Sequence, residues 1–434
     1  MFDEYKKALI PLVAYKSISA DPVCKEEVQK TAIYLQDLLQ KGGFQTELFT
    51  QYANPIVFGS IEVDQHLPTC LIYGHYDVQP AEKEEGWNSD PFTLREKDNK
   101  LFARGVMDDK GQLLLHIIAI QELIKHKQLG YNIKFLFEGN EEVGSPAIEH
   151  FISKHTDLLH CDFVMISDGE LTLGKPTIEL GFRGILNATV NIITAGNELH
   201  SGLYGGSVPN AAEEVSILVT KLFDKQNKVT IPGFYDDVLS VDTSISIPFA
   251  EEHFRKNTGA KVLKTEPRHD FFTQTGQRPS IEVTGIHAGY TGVGYKNSIP
   301  HKATVKINFR LVKNQDPEKI EQLFRKFLKE TLPVYIDFAV SFDDHNHAVR
   351  IDYNNAFVTK AKKVLTDVFG ERPLHRYVGG SEPVVLYFDK YLKKPIVLVP
   401  FANEDGAMHG VNENFAKENI EKGLLFSREF FREK

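Results

Sequence analysis

Cysteine is scarce: the 434 residues hold three, Cys24, Cys70 and Cys161, without CxxC spacing. That excludes a disulfide framework and a thiolate-built zinc site. Long apolar runs are missing too. Stretches such as Leu113 to Ile120 and Ile396 to Pro400 fall far short of the ~20 residues a membrane helix needs, so no span is expected. Positive charge is not in excess. Fifty Lys and Arg against fifty-nine Asp and Glu give a formal charge of −9, the wrong sign for holding a phosphate backbone, which excludes nucleic acid as a partner. The opening, Met1-Phe2-Asp3-Glu4-Tyr5-Lys6-Lys7, carries acids and no apolar segment follows. No signal peptide is expected, and the chain is assigned to the cytoplasm. Internal repeats and low-complexity tracts are absent as well.

What is present suffices for packed cores, with 42% hydrophobic residues. At roughly 100 to 200 residues per domain the length predicts two or three domains. Lys25 to Lys41 repeats apolar residues at Val28, Ala32, Leu35, Leu38 and Leu39 and stops at Gly42-Gly43, a helix with its C-cap. Apolar runs at Thr69 to Tyr73, Ile133 to Phe137, Phe163 to Ile166 and Ile396 to Val399 alternate with helical patterns at Gln112 to Lys125 and Ala361 to Phe369. Such alternation predicts an α/β domain whose strands are buried on both faces. From Arg183 the pattern becomes strand (Ile185 to Ile193), helix (Ala211 to Asp224), strand (Ser280 to Val283), strand (Ala303 to Leu311), helix (Pro317 to Leu328), strand (Val334 to Phe342). That β-α-β-β-α-β order is a split, ferredoxin-like sheet. Residues 181–350 therefore form an inserted domain, and the first domain is discontinuous, 1–180 with 351–434. Gln226 to Pro279 reads as long irregular connections.

Metal-competent residues sit just after the apolar runs. Leu71-Ile72-Tyr73 leads into Gly74-His75-Tyr76-Asp77, Phe135-Leu136-Phe137 into Glu138-Gly139-Asn140-Glu141-Glu142, and Met165-Ile166 into Ser167-Asp168-Gly169-Glu170. Val397-Leu398-Val399 leads into the loop ending at Met408-His409-Gly410, and Arg104 to Gly111 feeds the helix that begins at Gln112. In open α/β sheets ligands bind beyond the carboxyl ends of the strands, so these loops converge on one crevice. Singly, each residue reads as a surface or satisfied core group. Together, two His and several carboxylates at separate strand ends are hard to explain by packing, because buried charges need partners. They suit N/O coordination of zinc or manganese, and their number suffices for two ions bridged by a carboxylate.

The blocks Gly74-His75-Tyr76-Asp77-Val78-Gln79-Pro80, Gly86-Trp87 through Asp90-Pro91-Phe92, Ala103 to Gly111, Glu138 to Ser145 and Ser167-Asp168-Gly169 resemble the M20 metallopeptidases. The resemblance covers nearly the whole chain and implies a zinc-peptidase-like sheet domain with the inserted sheet as a lid and dimerisation domain. It implies that His75 and Asp168 bind one divalent ion, Glu142 and His409 the other, and that Asp108 bridges both. Zinc is the first choice, manganese the second. A cis peptide after the bridging aspartate is implied as well. Glu141 is then the general base, and Asp77 orients the His75 imidazole through its far nitrogen. His375 competes with His409 as ligand. It is set aside because it lies in a helix-to-strand connection and lacks the Asn-Glu that follows the family's ligand, here Asn412-Glu413.

In the inserted domain, Asn197 to Gly206 resembles the family's lid motif, which makes His200 the oxyanion donor. Arg310 would clamp a substrate carboxylate, with Asn297 and Ser381 as further substrate-binding positions. Where carnosinase-like members carry a His near the end of the lid, this chain has Asn354-Asn355. The Tyr between His75 and Asp77, with Gln79-Pro80 after it, resembles the dipeptidase branch. The expected activity is hydrolysis of dipeptides or short peptides by a homodimer. The alternatives are deacylation or desuccinylation of N-acyl amino acids, or metal binding without catalysis. The presence of Glu141 speaks against the last, since proton transfer needs it and coordination does not.

Overall fold

The computed structural model describes residues 1–433. They form two compact units, Met1–Leu180 with Ile351–Arg376 and Pro383–Lys434, and Gly181–Arg350 with Tyr377–Glu382. Among the described residues no helix is long and apolar enough to cross a membrane.

The first unit is built on a six-stranded sheet. Its parallel part runs Asn132–Glu138, Thr69–His75, Phe163–Ile166, Ile396–Leu398, and Ile56–Ile61 and Gln45–Phe49 add antiparallel strands beyond Asn132–Glu138. These β-branched and aromatic runs are buried almost throughout, as crossover connections covering both faces require. The helix Lys110–Lys125 is buried on every side from Lys110 to Ile120, packed against Thr69–His75 and the helices Phe2–Ala14 and Lys417–Phe431. A helix so enclosed cannot leave a polar group unpaired. Its His116 lends Nε2 to Ser167 Oγ at 2.9 Å and Nδ1 to Ser427 Oγ at 3.1 Å.

The second unit holds a four-stranded antiparallel sheet in the order Ser280–Ala288, Lys302–Leu311, Gly184–Ile193, Asp337–Asn346, the ferredoxin-like arrangement. Strict alternation along Gly184–Ile193 and Lys302–Leu311 sends one set of side chains into a core with the helices Ala211–Thr220 and Pro317–Thr331. Residues 226–279 are less irregular than their sequence implies, for they include the helices Glu251–Thr258 and Phe271–Gln277. The first is nearly all polar and the second only seven residues long, so neither carries a readable apolar stripe. His375 lies in the strand Leu374–Val378, not in a connection. Tyr377–Glu382, placed in the first domain from the sequence, belongs to the second unit. Arg183 explains this: its Nε donates to Gly379 O at 2.9 Å, its N–H to Gly380 O, and its carbonyl accepts from Ser381 Oγ at 2.7 Å.

Burial holds the His116 imidazole down at about 3 against 6.5 in an open chain. Between those values the unfolded chain takes up a proton that the folded one does not. Stability contributed by the neutral ring is therefore complete above pH 6.5 and lost as pH falls toward 3. His116→Gln should make the unfolding free energy of the metal-free protein less pH-dependent over that window, by about 1.4 kcal/mol per pH unit. Urea unfolding at a series of pH values tests this, and equal slopes for the two proteins would refute it.

Candidate metal centre

The parallel strands end in polar groups. His75 closes Thr69–His75, Asp168 lies just past Phe163–Ile166, and Glu141 and Glu142 form a turn just past Asn132–Glu138. His409 comes from the loop after Ile396–Leu398, and Asp108 from the turn entering Lys110–Lys125. His75 Nε2 stands 3.0 Å from Asp108 Oδ1 and 3.4 Å from Asp168 Oδ2. His409 Nε2 stands 2.9 Å from Asp108 Oδ2 and 3.2 Å from Glu142 Oε2. Two donor groups result, His75–Asp108–Asp168 and Asp108–Glu142–His409, each within 4.8 Å. Asp108 presents one oxygen to each, and the peptide between Asp108 and Asp109 is cis.

Burial alone would lower the pKa of His75, but the carboxylates of Asp108, Asp168 and Asp77 raise it well above 6.5. Asp108 and Glu142 lift His409 to about 10. Burial would raise Asp108, yet the two imidazoles hold it well below the ordinary carboxylate range. Protons on the rings thus balance the acids, and a divalent cation binding there would displace them. The donor set fits such cations, with imidazole and carboxylate, no thiolate, and one carboxylate common to both groups. Burial raises Glu141 well above 4.5, with His75 opposing and Asp168, Asp108 and Glu142 adding to the rise. Its carboxylate makes no hydrogen bond or ion pair among the described residues.

Neutral donors and backbone hold the ligands. His75 Nδ1 meets the backbone carbonyl of Asp77 at 3.1 Å, while the Asp77 carboxylate is farther off, at 3.5 Å. Carbonyl and carboxylate thus both face the nitrogen turned away from Asp108 and Asp168. The Asp77 carboxylate also accepts the N–H groups of Glu141, at 3.2 Å, and Glu142, at 3.1 Å. Gln79 Nε2 donates to Glu142 Oε2 at 2.7 Å. Asp109 Oδ2 accepts the His75 N–H at 3.3 Å, and a Cβ on Gly74 would fall 2.6 Å from that oxygen. Gly111 is equally constrained, since its Cβ would meet Val106 O at 1.8 Å where the Asp108 loop folds back on its helix.

The other sequence-picked residues lie in the second unit. The short ladder of Leu199–His200 with Ser298–Ile299 sets His200 beside Ser298, and Asn297 O accepts the Ser201 N–H at 3.1 Å. His200 and Asn297 are therefore neighbours. His200 Nδ1 accepts the Gly202 N–H at 3.0 Å. Arg310, on an interior strand, donates from Nε to Asn308 Oδ1 at 3.0 Å and from Nη1 to Ser381 Oγ at 3.1 Å. It pairs with no carboxylate among the described residues. Sequence reasoning missed Gln79, His116, Arg104 and Glu413. Gln79, Arg104 and Glu413 stand inside the recognised blocks or beside the ligand His409, and the sequence used Gln79 and Glu413 only as family marks, without a role at the centre; His116 is masked by its apolar helix.

Residues 71–433 match the family model described as peptidase family M20/M25/M40. A Cys-Gly metallodipeptidase of Candida albicans is 31% identical over 443 residues, covering 95% of this chain and 90% of its own length. Among solved structures, an M20 family metallo-carboxypeptidase from Sulfolobus solfataricus superposes with a TM-score of 0.88 at 30% identity, covering 99% of this chain and 98% of its own. Human carnosine dipeptidase 1 gives a TM-score of 0.83 at 27% identity, covering 99% of this chain and 96% of its own.

Because Asp108 belongs to both donor groups, Asp108→Ala should disturb both at once. After saturation with Zn²⁺ and desalting, elemental analysis should find the unaltered chain approaching two ions and the variant well below one. Two retained ions would remove Asp108 from the centre.

Proposed function

The chain belongs to peptidase family M20/M25/M40, and from that premise we propose that it hydrolyses dipeptides or short peptides bearing a free carboxyl terminus. The observation that carries this reading is the doubled donor set sharing Asp108, with the unbonded carboxylate of Glu141 in its electrostatic reach. His75 and Asp168 would hold one divalent cation, Glu142 and His409 the other, and Asp108 both. Zinc suits this N/O set, and manganese is the second choice. When bound, such cations polarise the scissile carbonyl and draw the pKa of the attacking water toward neutrality.

The chain's own groups do the rest. Glu141 accepts the proton of the attacking water and returns it to the leaving amine, a role that needs a carboxylate not tied up in hydrogen bonds. Asp77 fixes the Glu141-Glu142 turn through their backbone N–H groups and the His75 ring through its own carbonyl. The Gly202 N–H commits His200 Nδ1 as acceptor and leaves the ring proton on Nε2, the form that donates to an oxyanion. Arg310, held by neutral Asn308 and Ser381, keeps its full charge for a substrate carboxylate. Ser381 and Asn297 supply further polar contacts. The dipeptidases and carboxypeptidase among the relatives point the same way.

We further propose a homodimer with His200 acting in the partner's site. Large apolar side chains stand open around the His200–Asn297 ladder: Leu203 is 75% exposed, and Val293 and Tyr295 are wholly so. Such side chains on the two segments that flank one short ladder mark an interaction surface. All three cysteines are free, which supports a reducing compartment such as the cytoplasm.

Metal-loaded protein offered dipeptides, tripeptides and N-acyl amino acids should hydrolyse the dipeptides fastest. Turnover of the acyl amino acids alone would make it a deacylase. Glu141→Gln should keep its metal and lose roughly two to four orders of magnitude in kcat, whereas near-normal activity would place the base elsewhere. The shared site is tested by mixing inactive His200→Ala with inactive Glu141→Gln under conditions that exchange subunits. In a mixed dimer a trans His200 leaves one site intact and activity returns; no recovery would show that His200 serves its own chain.

A further inference from the structure

Glu413 is completely buried, far from Asp108 in sequence and adjacent to it in space. The strand Asn414–Ala416 pairs antiparallel with Lys100–Phe102, Asn414 opposite Phe102. That register lays Glu413 against the loop carrying Asp108. Its Oε1 accepts the N–H of Met107 at 2.9 Å and of Asp108 at 3.3 Å, and its Oε2 accepts the N–H of Gly105 at 2.9 Å and Nη1 of Arg104 at 2.8 Å. The other arm of the guanidinium reaches outward. Arg104 Nη2 donates to the carbonyls of Pro80 at 3.4 Å, His409 at 3.3 Å and Gly410 at 3.2 Å, and the group lies 5.3 Å from the centre of the Trp87 ring. One buried ion pair therefore ties together the loops that carry Asp108, His409 and the end of the His75–Pro80 block.

A buried ion pair is weak support for stability, because desolvation cancels most of its attraction and apolar residues of the same volume hold a fold as well. What this pair adds is direction. Two carboxylate oxygens facing four N–H groups, and a planar fork facing three carbonyls, fix loop angles that apolar packing leaves loose. We infer that Glu413, acting with Arg104, is the positioning residue of the metal centre: it sets Asp108 and His409 in register and so sets the affinity for the cation they share with Glu142. This rests on the two-cation reading above.

The test is titration of the full metal-free chain with Co²⁺, read by calorimetry and by visible absorption, which reports ligand geometry. Glu413→Asp keeps the charge that Arg104 needs but is one methylene too short to reach both pairs of N–H groups. Arg104→Lys keeps the charge and loses the fork on His409 and Gly410. The control is Glu266→Asp in the second unit, where Glu266 forms a buried pair with Arg278 at 2.9 Å. Glu413→Asp and Arg104→Lys should each weaken one Co²⁺ site about ten- to a hundredfold, change its absorption, and lower kcat with little change in KM. Glu266→Asp should lower the unfolding temperature and leave Co²⁺ binding unchanged. Should Glu413→Asp fail to fold, Arg104→Lys carries the comparison. Folded variants with the unaltered chain's affinity and spectrum would overturn the positioning role alone. An unaltered chain that binds no Co²⁺ would overturn the two-cation reading itself.

Discussion

Crowding of like charge at the end of the parallel sheet is the constraint on which the rest of the structure depends. Asp108, Glu142 and Asp168, with Glu141 close enough to feel them, gather where water is largely excluded, and such acids cannot all ionise without compensation. Lysine or arginine could supply it, but among the described residues none of the five candidate ligands pairs with either. Compensation falls to the rings of His75 and His409, whose protons a cation can replace. On the proposed reading, the positions a fixed cation would fill are left to exchangeable ones.

The cationic side chains nearby show how that is managed. Arg104 is committed to Glu413 and to backbone carbonyls. Lys110, completely buried at the start of its helix, gives its Nζ to the carbonyl of Tyr15 at 2.9 Å, and burial lowers its pKa to about 7. Neither approaches a ligand carboxylate. The candidate ligands are held instead by neutral groups, and acids that are not ligands turn to backbone N–H groups: Asp77 to the Glu141-Glu142 turn, and Glu413, beside its Arg104 partner, to the Asp108 loop.

The sequence made the strand ends legible because burial on both faces writes a continuous apolar run, and a polar residue directly after such a run stands out. It showed the alternation of the inserted sheet for a similar reason. Partners distant along the chain were not legible. Nothing local says that Tyr377–Glu382 follows Arg183 into the second unit, because the bonds that hold it run to a backbone that any sequence possesses. The same holds for Asp77. Its place two residues after His75 pointed to the far ring nitrogen, which its carbonyl meets at 3.1 Å and its carboxylate at 3.5 Å, but nothing local showed that the carboxylate also holds the next loop. Helices without an apolar stripe, Glu251–Thr258 above all, left no period to read.

The second unit solves the opposite problem. Arg183 lies close enough to Arg310 to feel its charge, and burial, with Arg310 adding, lowers Arg183 to about 10. Neither is neutralised by an ion pair among the described residues; their partners are Gly379 O, Arg278 O, Ser280, Asn308 and Ser381. Asn308 is itself anchored, donating to Asn187 Oδ1 at 2.7 Å, and Asn187 donates in turn to Asp344. The ladder fixes the guanidinium in place without a direct ion pair, although the charge of Asp344 at its end reaches Arg310, and a fixed guanidinium with no bound carboxylate favours an anion that arrives with the substrate. On the proposed reading that anion is the free carboxylate of a short peptide. On the same reading the first unit would leave negative charge for exchangeable cations and the second would leave positive charge for an exchangeable carboxylate.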